Sequence, residues 1–196
     1  SEINKKELLK LILEKNIKLI DYENIRNENG KRYLGFGRFA GIVGCYNTLN
    51  LCLKNYNKQP LARAHRINNY ERLITNLKNL YFPQINILVT GDGRVARGVI
   101  EVLEQTNIKE VSKEKFRNDK FNYPVFCNLE TKDYVESKLN KEFDLNHFIQ
   151  YPKEYKSCAV QYLKKADVFI SAHYWDPASP KIFEKDDLNK LNDLKV

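Results

Sequence analysis

Ile85-Asn86-Ile87-Leu88-Val89-Thr90-Gly91-Asp92-Gly93-Arg94-Val95-Ala96-Arg97-Gly98 is the stretch whose reading decides the fold. Residues 85–90 are mostly aliphatic, the composition of a buried strand. Gly91 and Gly93 follow at once, and residues 95–106 then space their apolar side chains as a helix does. Strand, glycine turn and helix in that order open a parallel sheet with helical crossovers. Gly91 permits the tight turn, Gly93 leaves room for a phosphate against the backbone, and Ala96 stands where a small residue lets helix and strand pack closely. The first N–H groups of the helix, with its dipole, face outward from its start, which favours an anion there. Asp92, Arg94 and Val95 complete the loop, with Arg94 supplying a charge for phosphate contact. The Gly-Lys-Ser/Thr ending of a phosphate-binding NTPase loop is missing from this stretch. The turn is therefore predicted to hold the pyrophosphate of a dinucleotide.

Downstream, residues 109–112 form a candidate second strand and residues 125–126 a short third. The residue that reads the adenosine ribose stands about 20 positions beyond the glycines in such units. Counting from Gly91 reaches Val111, Ser112 and Lys113. Ser112 and Lys113 suit the 2′-phosphate of NADP, whereas Glu110 or Glu114 beside them would suit the free ribose of NAD, so both cofactors stay open. Residues 152–165 are predicted as a helix. Residues 167–172 read as a buried strand that runs into His173-Tyr174-Trp175-Asp176-Pro177. Ligands of open α/β sheets bind outside the carboxyl ends of the strands, so His173, Tyr174 and Trp175 are expected to line the nicotinamide side. No partner for His173 is visible in the sequence; His65 and His147 are read as structural or exposed.

Upstream, the pattern predicts a helix over residues 7–15, a strand over 17–22, an Asn-Gly turn at 27–30 and a returning strand over 31–36. A helix follows from residue 38 to about 56, with Gly41 and Gly44 on one face where another backbone can approach. Residues 53–69 are polar and irregular, and 70–80 are helical. Of eight glycines, Gly35, Gly37, Gly41 and Gly44 form one cluster and Gly91, Gly93 and Gly98 another, so glycine is placed where backbone geometry demands it. The fold expected is α/β, a Rossmann-like parallel sheet with helices on both faces. Residues 1–80 would be part of a substrate-side α/β domain, and residues 81–196 the nucleotide-binding domain, cut short at its C-terminus.

Bulk properties narrow the function. The formal charge is +8, but lysines and glutamates interleave instead of segregating onto one face, which argues against a nucleic-acid partner. Apolar runs are short and interrupted, so no membrane span is expected, and the N-terminal stretch has no signal-peptide pattern. Cys45, Cys52, Cys127 and Cys158 form no CxxC pair and stand at no metal-ligand spacing, which fits reduced thiols, a cytoplasmic setting and no metal site. Methionine is absent, so the chain is expected to be a piece of a longer or processed protein. A sheet left incomplete at its edge would invite pairing between chains, hence a possible homo-oligomer.

Beyond the glycine turn, several segments resemble one family. Leu19-Ile20-Asp21-Tyr22-Glu23 followed by Phe36-Gly37-Arg38-Phe39-Ala40-Gly41-Ile42-Val43-Gly44 is similar to the "LIDYE…FGxWAGxxG" pattern of the lysine-ketoglutarate reductase and saccharopine dehydrogenase group, within the alanine dehydrogenase and transhydrogenase family. Residues 91–98 match that group's nucleotide turn. Tyr151-Pro152-Lys153-Glu154-Tyr155-Lys156-Ser157 resembles its "hPExYxS" segment, and Tyr174-Trp175-Asp176 with Pro180 its "YWxxxxP" loop. The matches run in order from about residue 17 to 188. The resemblance implies hydride transfer between NAD or NADP and the C–N bond of an amino-acid substrate, as in saccharopine formation from lysine and 2-oxoglutarate. It places Glu23, Arg32 and Phe36 on the substrate cleft, where the Arg32 guanidinium would grip a carboxylate bidentately. Members of the group begin with roughly a hundred further residues that carry a proton-handling lysine and histidine, so catalytic residues are not assigned and these 196 residues alone are expected to be inactive. An alanine-dehydrogenase-like or opine-type reductase, or a nucleotide-binding remnant without catalysis, are the alternatives.

Overall fold

The computed structural model describes residues 3–30 and 32–191. Contacts divide the chain into two units, Ser1–Phe36 and Gly37–Val196.

In the first unit, α1 (Ile3–Glu14) ends where Asn16 takes a positive φ of 52° and Ile17 N–H bonds the carbonyl of Ile12 at 3.0 Å. Residues 17–22 do not form the expected strand. A 3-10 turn, Tyr22–Asn24, takes their end, drawn tight by Asp21, whose carboxylate accepts from Glu23 N–H at 3.0 Å and from Asn24 Nδ2 at 2.5 Å. A short polar side chain at such a place offers the backbone an alternative to a ladder. The Asn27–Gly30 turn is present, with Gly30 at φ +72° and its N–H on the Asn27 carbonyl. The hairpin around it shrinks to one antiparallel bridge, Arg26 with Arg32, and Lys31 lies outside the described residues. No described residue of this unit is buried, and an isolated pair of strands without an apolar face has little to hold it.

The second unit is built on a parallel sheet. β1 (Asn86–Thr90) lies between β3 (Val125–Leu129) and β6 (Val168–Ser171), and β2 (Lys109–Glu110) adds to the outer side of β3. The order β2-β3-β1-β6 makes β1 an interior strand of a parallel sheet. Side chains alternate between the faces. Ile87, Val89, Phe126, Val168 and Ile170 pack with α2 (Gly37–Asn55), α3 (Tyr70–Lys78) and α4 (Arg94–Leu103). Leu88, Val125, Cys127 and Leu129 face the other side, with α5 (Lys113–Asn118) and α8 (Val160–Leu163). α2 joins the same core as α4, and the contact division falls after Phe36.

The α2–α4 crossing is set by two glycines. A Cβ on Gly41 would lie 2.0 Å from the carbonyl oxygen of Val95, and one on Gly98 would lie 2.0 Å from that of Arg38. Gly44, grouped with Gly41 by spacing, meets nothing within 4 Å. Beside the crossing, the Arg38 guanidinium clasps Glu101 through two bonds of 2.6 and 2.7 Å, and the Tyr70 hydroxyl donates to the same carboxylate. Three helices, α2, α3 and α4, are thereby fastened together toward the end of α4.

Between β3 and β6 the chain departs from expectation. α6 (Thr131–Tyr134) is followed by β4 (Val135–Ser137), and α7 (Leu145–Gln150) comes next. The helix predicted over residues 152–165 is instead a 3-10 turn, Pro152–Glu154, then β5 (Tyr155–Ser157) antiparallel to β4, then α8. Tyr155 is buried and Lys156 exposed, a period of two that the surrounding helical spacing masks.

Candidate functional site

The glycine turn joins β1 to α4 at the carboxyl end of the sheet. Gly91 has φ +123°, which side chains other than hydrogen rarely tolerate, and a Cβ there would lie 2.6 Å from the carbonyl oxygen of Ala172. Its N–H bonds the Leu129 carbonyl at 2.8 Å, so the residue is pinned between the ends of β3 and β6. Gly93 is different. It is the N-cap of α4 at φ −85°, an ordinary backbone conformation, and a Cβ there meets no atom within 4 Å. Protein packing does not require a glycine at 93; the space beside it is open. Ala96 is wholly buried in the core under the first turn of α4, as a close helix–strand contact needs.

This open space belongs to a cleft of about 350 Å³. Asp92, Gly93, Arg94 and Val95 form its floor, Thr131 and Tyr134 one wall, and Ala172 to Trp175 another. Leu145, Phe148 and Ile149 of α7 close it with an apolar side. The chain leaves β1 toward β3 on one side and returns through β6 on the other, so the cleft lies at the topological switch point, where such sheets bind ligands. The helix start supplies backbone N–H groups without intrahelical partners at its floor.

His173 does have a partner. Its Nδ1 is 2.8 Å from Oγ1 of the fully buried Thr90, and its ring lies 5.4 Å from that of Tyr134. Burial pushes the imidazole below its usual value, so it is neutral at neutral pH. Tyr174 is almost fully exposed and Trp175 partly so, both at the cleft.

Ser112, Lys113 and Glu130 all stand outside the residues that line this cleft. The Ser112 hydroxyl caps α5, accepting from Lys115 N–H at 3.3 Å, and the Lys113 ammonium bonds Asp133 at 2.7 Å, which pushes its pKa up. They follow β2, which stands one strand away from β1. The strand beside β1 is β3, and the residue after its last, Leu129, is Glu130. Glu130 pairs with Lys132 at 2.7 Å, which holds its carboxyl below the usual range, and its own N–H bonds Asp133 at 2.8 Å. Counting residues passes over Glu130 because strand order is not encoded in sequence distance; the run Val125-Phe126-Cys127-Asn128-Leu129-Glu130, apolar and ending in a carboxylate, is the signal that was available. Thr131, Tyr134 and the α7 wall were likewise invisible to motif reading.

Within the first unit, Glu23 sits in the 3-10 turn and is partly exposed, Arg32 forms the bridge with Arg26, and Phe36 is exposed. Among the described residues no helix is long and apolar enough to cross a membrane.

No family model matches the chain. It is similar to alpha-aminoadipic semialdehyde synthase, mitochondrial, of Rattus norvegicus, at 24% identity over 211 residues and 94% of this chain. The corresponding protein of Bos taurus is 23% identical over 207 residues, and the alpha-aminoadipic semialdehyde synthase of Arabidopsis thaliana 27% over 219, each again across 94% of the chain. The chain spans about a fifth of the length of these relatives, 22% of the rat and bovine proteins and 21% of the plant one. This similarity agrees with the resemblance to the lysine-ketoglutarate reductase and saccharopine dehydrogenase group carried by the motifs. The mammalian relatives are mitochondrial by name, so the cytoplasmic expectation gains nothing from them.

Proposed function

We propose that this relative of the alpha-aminoadipic semialdehyde synthases is the dinucleotide-binding part of an amino-acid dehydrogenase of lysine degradation, transferring hydride between a nicotinamide cofactor and a substrate C–N bond. One observation carries the reading: Gly93 is a glycine that the protein's own packing does not need, at a helix start that opens into the switch-point cleft. A pyrophosphate in that space explains why a side chain is missing there. The cofactor's role is to exchange hydride with the substrate carbon. The chain's residues bind and orient it: α4 offers N–H donors to the phosphates, Arg94 adds charge, and His173, Tyr174 and Trp175 border the nicotinamide side. α7 keeps water from that side with Leu145, Phe148 and Ile149.

Strand order favours NAD over NADP. A carboxylate after the strand next to β1 accepts from the ribose 2′-hydroxyl and repels a 2′-phosphate, and Glu130 holds that position. Ser112 and Lys113, the sequence-based candidates for the phosphate, lie beyond it across β3. Glu23, Arg32 and Phe36 remain proposed substrate contacts on the strength of the resemblance.

Titrating NADH and NADPH, each alone and with saccharopine, 2-oxoglutarate or pyruvate present, tests the function. The expected result is binding of NADH above NADPH that tightens with 2-oxoglutarate, the oxidised partner of the reduced cofactor. Tightening with pyruvate alone would move the assignment to an alanine-dehydrogenase-like reductase.

A further inference from the structure

The buried end of β1 makes a hydrogen bond that fixes more than a side-chain position. Thr90 is fully buried, and among the described residues its hydroxyl has one side-chain partner, Nδ1 of His173, at 2.8 Å. A buried O–H without an acceptor is costly, by ~1–3 kcal/mol. Were Nδ1 to carry the proton, Thr90 Oγ1 would accept and its own hydrogen would be left without one of the acceptors described. The hydroxyl therefore donates to Nδ1. A neutral imidazole has one N–H, so the proton sits on Nε2. Ser171 Oγ, at 3.4 Å from the same Nδ1, is the weaker contact and leaves Nε2 untouched.

Nε2 has no protein partner among the described residues. It is not among their buried, unpaired polar atoms, which are Asn86 Oδ1 and Asn128 Oδ1, so solvent reaches it, and His173 is one of the residues that line the cleft. Among the described residues no carboxylate bonds the ring, and burial disfavours the imidazolium. The backbone of His173 lies 3.0 Å from where a Gly91 Cβ would stand, so this donor is placed beside the glycine turn itself.

We infer that Thr90 locks His173 in the Nε2–H tautomer, making it a neutral hydrogen-bond donor to an oxygen of the bound dinucleotide, not a catalytic base. A base would need a bare nitrogen facing the cleft; here the bare nitrogen faces Thr90. This assignment rests on the cofactor reading above. It makes His173 a cofactor-positioning residue and Thr90 the group that sets its proton.

Two measurements on the whole chain test it. Long-range ¹⁵N–¹H NMR of the histidine rings reports the tautomer directly. The expected spectrum shows His173 protonated on Nε2, with that resonance shifting on addition of NADH; Thr90→Val is expected to mix in the Nδ1–H form. NADH titration then compares variants. His173→Phe should weaken binding by about three- to tenfold, the worth of one hydrogen bond, while His173→Gln, whose amide N–H reaches a similar point, should retain most of the affinity. An Nδ1–H tautomer in the wild type, or full affinity in His173→Phe while Gly93→Val loses binding, would overturn the inference and leave the cofactor reading standing. Failure of wild type to bind either NADH or NADPH, with the tautomer as expected, would instead remove the cofactor reading and with it the ligand assigned to Nε2.

Discussion

Two alanine substitutions, three residues apart on one helix, should move stability in opposite directions. Gly41 and Gly44 both lie in α2, and both would gain helix propensity as alanine, worth about 1 kcal/mol. At Gly44 nothing stands within 4 Å of the new methyl, so Gly44→Ala should stabilise by about 0.5–1 kcal/mol. At Gly41 the methyl would sit 2.0 Å from the Val95 carbonyl oxygen and 3.0 Å from Val99 N, both backbone atoms that no rotamer change can move. To reach ordinary contact the helices must part by well over an ångström across their crossing. Overpacking of this kind costs ~1–3 kcal/mol or more, so Gly41→Ala should lose about 2 kcal/mol after the propensity gain. With a denaturant slope of ~2 kcal/mol/M in urea, the two midpoints should differ by about 1–2 M. Trp175 is the single tryptophan, so urea unfolding followed by its emission reads the cleft of the second unit. Equal midpoints for the two variants would refute the assigned crossing.

The remaining predictions concern charge and cofactor. Arg38 and then Tyr70 hold the Glu101 carboxyl below its usual range through hydrogen bonds, so the stability it contributes is present above the unfolded carboxylate value and is lost as pH falls through the lower folded one. Glu101→Gln should therefore be less stable than wild type at pH 7, and urea midpoints taken downward from there should converge as the wild-type carboxylate protonates. Burial, then Glu101, pushes Tyr70 up to about 12, so it stays a donor across that range and does not mask the effect. Glu130→Ser should raise the affinity for NADPH relative to NADH by about tenfold, the effect of relieving one like-charge contact of roughly 1.4 kcal/mol; an unchanged ratio in competitive titration would remove Glu130 from the ribose site. Trp175 lines the cleft, so bound NADH should quench its emission by energy transfer, and the Trp175→Phe variant should bind with no such signal.

The parts of this molecule legible in sequence are those written in local geometry. β1, the turn and α4 could be read because a strand, a positive-φ glycine and an amphipathic helix each leave a signature within a few residues. The junction of the turn with residues 172–175 was also legible, since the general placement of ligands at strand ends needs no knowledge of partners. Strand order was not. β2 follows α4 in sequence yet lies outside β3, so the residue after the strand beside β1 is Glu130, the ribose contact proposed here, and not Ser112 or Lys113. The β4–β5 ladder was hidden because three-residue strands are shorter than one helical repeat and carry no periodicity of their own. The spacing of Gly41 and Gly44 suggested one contact face, but only contact with α4 distinguishes them. In residues 17–22 local propensity for a strand was present, and the Asp21 carboxylate with the turn behind it took the backbone elsewhere.

The central claim is that the helix start at Gly93 holds a dinucleotide pyrophosphate. Calorimetric titration of NADH into the wild type and Gly93→Val, with circular dichroism and urea midpoints measured on both, tests it most directly. A Cβ at 93 touches no protein atom and the backbone there is extended, so Gly93→Val should still fold, losing about 1 kcal/mol for a poorer helix N-cap. Its methyl groups would occupy the phosphate space, so NADH binding present in the wild type should disappear. A Gly93→Val protein that folds and binds NADH as tightly as wild type would contradict the account.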